Sequence, residues 1–342
     1  MKKTFLYLLL IFGSLTQGYS AVRGAYHQYF SLEGDYVVLR RANSSNKHLV
    51  SAASGPIFTP IYATPPQCRK EVGKPMLETK DLINDMHFNS GFSVAAKIYP
   101  SIYSTWEARY LGGFAWHGKK MRNCPENLNL DGILAEQTVD YQNATRAKAV
   151  YLSKMYTYEL NHYYHITPRH TDHFSISWIV GLRYFNIDEK LKMYFTNTIA
   201  NPIMAQTSRY RVRTENTSFG LQTGGIIEYN PYHFLTWGLV TKVGGLFNRD
   251  KQRTLMLDNN NTDVIRDYDR SGSNFAYMAH VYPFIELRPT KHFFFYINYQ
   301  MLYIGAIATA EKNLQFHGEG NLLDHGGHII YHGATGGIQF NF

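Results

Sequence analysis

The sequence predicts an all-β fold: an antiparallel transmembrane β-barrel of about ten strands, with short periplasmic turns and long extracellular loops. Three observations predict it. The last stretch, HIIYHGATGGIQFNF (328–342), alternates with period two. Phe342, Phe340, Ile338, Gly336 and Ala334 share one face; Asn341, Gln339, Gly337, Thr335 and Gly333 share the other. Such alternation gives a strand whose two faces meet two different solvents. Aromatic residues make up 15% of the chain, with 27 Tyr and 21 Phe, the supply that interfacial girdles need. Finally, the chain opens with an export signal, and no later apolar run approaches the length of a spanning helix.

That opening is MKKTFLYLLLIFGSLTQGYS. Lys2 and Lys3 form the charged region, Phe5 to Phe12 the apolar core, and Gly18 and Ser20 the small residues before cleavage. Residues 1–20 are read as a signal peptide cleaved near Ser20, and 21–342 as one barrel domain of the bacterial outer membrane. At the other end Ile338, Phe340 and Phe342 resemble the insertion signal that the barrel-assembly machinery reads. That machinery and outer-membrane lipid are the expected partners. The net charge of +8 is spread along the chain. No basic run interleaved with aromatics points to nucleic acid. The two cysteines, Cys68 and Cys124, fall in expected loops, and export allows a bridge between them.

The strands follow in order. The first is 30–41, and a long proline-bearing loop spans 42–86. The second, 87–98, puts Phe88, Phe92, Val94, Ala96 and Ile98 on one face and Asn89, Ser93 and Lys97 on the other. The third, 102–116, puts Trp106, Ala108, Tyr110 and Phe114 outward and Thr105, Glu107 and Arg109 inward; 117–146 reads as loop. The fourth, 147–165, carries Tyr156, Tyr158 and Leu160 outward. In the fifth, Phe174, Ile176, Trp178, Val180, Leu182 and Tyr184 face lipid, opposite Ser175, Ser177, Gly181 and Arg183. A loop at 196–206 leads to the sixth, 207–229. The seventh is 233–248; a loop at 249–272, with Asp258 to Asn261 as the turn at the tip of an extended hairpin, leads to the eighth, 273–287. The ninth is 292–305, and a loop at 306–327 leads to the closing strand. Long and short connections alternate, which places both termini on the periplasmic side. Twelve strands would require a further hairpin within 42–86, and its prolines argue against one.

Two residues sit awkwardly in this pattern. Pro283 lies inside the eighth strand of a sheet without an edge, so a bulge or kink is expected there. Lys154 shares parity with lipid-facing tyrosines. A lysine at the midplane costs roughly 2–4 kcal/mol, so the membrane part of the fourth strand should lie below Tyr156.

The stretch GLRYFNIDEKLKM (181–193), a strand with Gly-x-Arg-Tyr followed by Glu and Leu, resembles the core of the β-barrel porin family of the seventh type. GDYVVLRR (34–41), NSGFSVAAKIYP with WEARYLGGF (89–114), RTENTSFGLQTGG (213–225) and INYQMLYIGAI (297–307) are similar to its other strands, in the same order. Val38 to Arg40 stand where that family usually has Trp, and Ser218 adds a residue between Asn216 and Phe219. The resemblance implies an outer-membrane barrel and a porin-like role.

The expected lumen lining carries both signs: Glu33, Asp35, Glu107, Glu159, Glu228 and Glu286 against Lys97, Arg109, Arg183, Lys242 and His280. A ten-strand barrel is narrow, since wide aqueous channels need about sixteen strands. Size alone favours a plugged, salt-bridged interior, whereas the resemblance favours a thin channel for ions or small solutes. The reading is therefore a porin-like channel, and its alternative is a non-conducting structural or adhesion barrel acting through its loops. His162, His165, His170 and His173 read as a polar rim rather than a metal site. His325, His328 and His332 with Asp324 lack a spacing that specific chemistry demands. The sequence is read as that of a non-enzyme without a cofactor.

Overall fold

The computed structural model describes residues 29–42, 46–53, 73–132, 138–167, 173–197, 206–316 and 323–342. The expected signal peptide, Cys68, His170 and residues 43–45 and 54–72 of the proline-bearing loop lie outside the described residues.

The strands are β1 (Phe30–Ala42), β2 (His48–Ala52), β3 (Pro75–Glu78), β4 (Asn89–Ser101), β5 (Ser104–Leu130), β6 (Ala144–His165), β7 (Phe174–Asn197), β8 (Gln206–Tyr232), β9 (Leu235–Leu257), β10 (Val264–Leu287), β11 (Phe293–Ile307) and β12 (Gly327–Asn341). Among the described residues one short helix, α1 (Thr79–Asn84), follows β3, and one 3₁₀ turn spans Val139–Tyr141. Ten strands form a ring in the order β1-β4-β5-β6-β7-β8-β9-β10-β11-β12, every neighbouring pair antiparallel. The ring closes where β1 pairs with β12, from Ser31 opposite Asn341 to Ala42 opposite Ile330. Closure leaves no open edge, which is the condition for a sheet to cross lipid. Outward positions such as Tyr36, Phe92, Trp106, Trp178, Leu221, Trp237, Ile297 and Phe340 are exposed aromatic or aliphatic residues. This is the lipid-facing belt of a transmembrane barrel.

The alternation read from the closing strand holds through β12, where Thr335, Gln339 and Asn341 are buried and Ile338, Phe340 and Phe342 exposed. Along β7 it runs from Phe174 to Asn197 without a break.

Four local expectations need correction. Phe114 faces the interior, 3% exposed and stacked on Trp116. Between Leu111 and Phe114 the register with β6 slips by one residue. Gly113 sits there at φ +90°, a backbone state that favours glycine. This bulge inverts the parity of everything beyond it. Secondly, 117–130, 249–257 and 264–272 are strand rather than loop, because β5, β9 and β10 rise well past the belt. Thirdly, the 42–86 segment does contain a strand pair. β2 joins β3 and the far end of β5, outside the ring of ten. Pro75 begins β3, where a missing N–H is tolerated. Lastly, Pro283 makes no bulge. It stays in register with Leu239 of β9, and the ladder to β11 merely skips Tyr282 and Pro283 without shifting.

The long strands β5 to β10 form a tall wall, and the described parts of three connections fold inward over its inner face. In the first insert, α1 presses Leu82, Ile83 and Met86 into the interior. Gly118 of β5 lies directly beneath the Leu82 carbonyl, where any Cβ would collide with backbone. Asp85 then accepts from the Lys119 amide at 2.9 Å and from the Lys120 ammonium at 2.8 Å. In the second insert, the Tyr141 phenol donates to the Leu257 carbonyl at 2.7 Å, and burial pushes its pKa up. In the third, Asn216 of β8 grips the backbone of Ala308 through both amide atoms, at 2.7 and 2.9 Å. The Lys47 ammonium links the first and third inserts by donating to the Leu314 carbonyl, and it lies 5.4 Å from the centre of the Phe316 ring. Cys124 on β5 is buried and disulfide-bonded.

Gly118→Leu should lift α1 from β5 at a cost of about 1–3 kcal/mol, the usual penalty for overpacking. Limited proteolysis between residues 73 and 88 should accelerate while the barrel stays folded; an unchanged cleavage rate would contradict this seat. The Lys120 ammonium and the Lys119 amide hold the Asp85 carboxyl below its ordinary value of 3.8. A lowered folded-state value means the contribution is complete above the ordinary value and is lost as pH falls through the lowered one. Pepsin cleavage near α1 should therefore rise steeply only below about pH 3.8, and Asp85→Asn should flatten that rise.

Candidate functional site

The inner faces near the short turns hold two groups of charges. On β1, β4 and β5, Arg109 donates to Glu33 at 2.5 Å, to Glu107 at 3.0 Å and to Asp35 at 3.1 Å. Lys97 reaches Glu33 at 2.5 Å. The phenols of Tyr296 and Tyr163 donate to Glu33 at 2.7 Å and Glu107 at 2.8 Å. Across the interior, Glu159 of β6 meets Lys242 of β9 at 2.8 Å and Arg183 of β7 at 3.2 Å. Arg183 donates to Nδ1 of His280 at 3.3 Å, which leaves Nε2–H of His280 to donate to Gln300 at 3.0 Å. Asn161 joins the two groups, donating to both Glu107 and Glu159. Lower down, Ser175 donates to Glu228 at 2.8 Å and Arg288 to Glu286 at 2.6 Å.

All eleven residues expected in the lumen thus point inward. Ten of them border a common cavity of about 110 Å³, and Arg183 is buried beside it. The cavity has room for several ordered waters. Most of its charges are paired between strands, which offsets part of the cost of desolvating them.

Beyond the cavity the interior changes character. One contiguous apolar cluster takes Leu39 from β1 and side chains from every strand between β5 and β12, among them Phe114, Met155, Ile187, Val212, Leu246, Met278, Leu302 and Ile329. Trp116 stacks on Phe114 at 5.2 Å, meets Tyr331 at 4.9 Å and donates its indole N–H to the Leu39 carbonyl. Above this layer lies a feature that the sequence reading missed. Arg41 of β1 donates twice to Oε1 of Glu189 on β7, at 3.0 and 2.6 Å, and both side chains are fully buried. β1 and β7 stand four places apart in the ring of ten, so the pair bridges the bore. Tyr151, Ser153 and the Ala310 amide also donate to Glu189, at 2.8, 3.1 and 3.1 Å. The pair therefore ties two walls and the third insert together. Parity alone would have put Arg41 inward; nothing local in the sequence names a partner 148 residues away.

The histidines do not converge. His162 bonds Ser104 next to Trp106, His165 bonds Thr105 and Ser177 in the interior, and His173 bonds the Asn230 carbonyl. His332 bonds the Tyr299 phenol on the outer face, and His328 stacks on Tyr303. His325 instead finds Asp250 of β9 at 2.5 Å, while Asp324 accepts from the Gly326 amide. Among the described residues no three His, Cys, Asp or Glu side chains group as metal ligands.

No family model matches the chain, and no curated protein does. The resemblance to the porin family therefore rests on its quoted motifs alone. Among the solved structures that are similar, three illustrate the likeness. The outer-membrane protease OmpT from Escherichia coli is 10% identical, covers 93% of this chain and 99% of its own, and has a TM-score of 0.44. The translocator domain of the autotransporter NalP from Neisseria meningitidis is 7% identical, covers 100% and 95%, and scores 0.31. A FadL homologue from Pseudomonas aeruginosa is 8% identical, covers 93% and 90%, and scores 0.30. The chain is an outer-membrane β-barrel protein by its closed ring and apolar belt. The presence of a protease among similar structures corrects the non-enzyme reading, which is set aside.

Arg41→Met should strand Glu189 in the interior and lower stability by about 3–5 kcal/mol. Arg41→Met with Glu189→Met should recover most of that loss, because paired removal leaves no buried charge. Urea midpoints of the refolded barrel in detergent measure both. A double variant as unstable as the single one would show that the pair is not coupled.

Proposed function

We propose that this protein is a closed outer-membrane barrel that presents a rigid extracellular surface, with a structural or adhesive role. The observation that carries this reading is the bridge of Arg41 and Glu189 over a continuous apolar layer. An ion crossing there would leave water for side chains that give it no ligands, a step that costs several kcal/mol or more. The three inserts support the same reading, since each spends buried contacts on the mouth.

A porin-like channel for ions or small solutes is the second reading. Its support is the charged cavity of about 110 Å³, together with the resemblance carried by GLRYFNIDEKLKM. It requires the apolar layer and the third insert to move.

Single-channel recording on the refolded chain in a planar bilayer separates the two. The closed barrel should be silent across the voltage range while heat-modifiability on a gel reports folded protein. Discrete, reproducible steps from the unaltered chain would overturn the closed reading and favour the channel.

A further inference from the structure

The outer wall of β7, β8 and β9 changes abruptly above the belt. On β7 the outward positions from Phe174 to Tyr184 are apolar or aromatic, about the 9–11 residues with which a tilted strand crosses the hydrocarbon. Tyr184, Phe219 and Phe247 stand side by side in register at the top of that belt. Above them the outward positions become charged: Asp188, Glu215 and Lys251 share one level, and the next level up is wholly basic. Lys190, Arg213 and Arg253 lie directly opposite one another on the three strands, and Lys192 lies opposite Arg211. Like charges placed opposite each other in a sheet are destabilising on their own.

The protein's own acids do not resolve this crowding. Asp188 binds Arg213 through two contacts of 2.9 Å. Asp267 and Asp269 each approach Arg253 only to 3.8 Å. Among the described residues, Lys190, Lys192 and Arg211 have no carboxylate within salt-bridge distance. Partial burial, with Lys192, Arg211 and Arg213 as neighbours, lowers the pKa of Lys190 on this extracellular extension. Beside the row is a recess of about 370 Å³ lined by Arg213, Lys251, Arg253 and Arg270 against Glu215 and Asp269.

We infer that this wall binds the phosphate groups of a phosphorylated glycolipid in the outer leaflet. Its row of cations lies three outward positions above Tyr184, Phe219 and Phe247, the level at which headgroups sit. Guanidinium groups match phosphate oxygens two at a time, and lysines add point charge. Physiological salt screens charge beyond about 8 Å, so the ligand must be held against the wall, as a lipid packed on the belt below would be. The site lies on the outside of the barrel and does not depend on whether the bore is open.

The test uses full-length refolded barrel in detergent with three probes: bisphosphorylated lipid A, its fully dephosphorylated form, and inorganic phosphate. Native mass spectrometry reads lipid occupancy, and thermal unfolding reads protection. The bisphosphorylated lipid should bind at least tenfold more tightly than the dephosphorylated one. K190Q/K192Q/R211Q should erase that preference, R211Q alone should reduce it, and R40Q on the opposite wall should leave it intact. All these side chains face outward, and heat-modifiability checks that each variant folds. Equal binding of the two lipids, or an unchanged preference in the triple variant, would overturn the site. Equal protection by millimolar inorganic phosphate would overturn its assignment to lipid.

Discussion

A charge inside a ten-stranded barrel has little water to lean on, so it must find an opposite charge on another strand. This constraint organises the interior. Glu33, Arg109 and Lys97 link β1, β5 and β4, and Glu159 collects Arg183 and Lys242 from β7 and β9. Each contact fixes the register of strands that the backbone ladder alone would hold less specifically. The same demand, met across the bore by Arg41 and Glu189, turns a cylinder into a closed body. Removing one partner of such a pair is costly and removing both is not. The pairs thus specify the arrangement more than they add stability.

The parts of the fold legible in the sequence are those where lipid and interior impose opposite demands on alternate residues. The closing strand, the fifth strand and the inward direction of ten charged side chains and His280 follow from parity. Phe114 escaped because one residue at Gly112–Gly113 reverses parity; a Gly pair inside a strand is the available warning. The upper part of β5 read as loop because both of its faces lie outside lipid. Lys119, Met121 and Asn123 are exposed there, with no apolar stripe to betray a strand. The pair β2 and β3 was hidden by the prolines around it. The bridge of Arg41 and Glu189 was hidden by distance along the chain. Pattern says which way a side chain points, and only the ring order says what it meets.

Inner and outer walls treat charge in opposite ways. Inside, acids and bases are interleaved until nearly every ion has a counter-ion. Outside, on β7 to β9, rows of cations stand above a single level that holds Asp188 and Glu215. A surface facing only water has no need of such segregation, which costs self-repulsion. Placed just beyond an aromatic edge, it suits a solvent that itself carries ordered negative charge.

The tall wall also explains why the bore is shut. A strand crosses lipid in about 9–11 residues, yet β5 to β10 run for 22 to 27 residues. The excess stands outside the membrane, and its inner face carries Ala147, Leu191, Met193, Phe195, Tyr210, Val212 and Met256. Those side chains would be wet in an open cylinder, and the extension would lose its main source of stability. The inserts bring Leu82, Tyr141, Leu314 and Phe316 into the same apolar cluster. The seal is therefore the hydrophobic core of the extracellular extension. A wall of this height, apolar on its inside, can stand only if something fills it, and this chain fills it with its own loops.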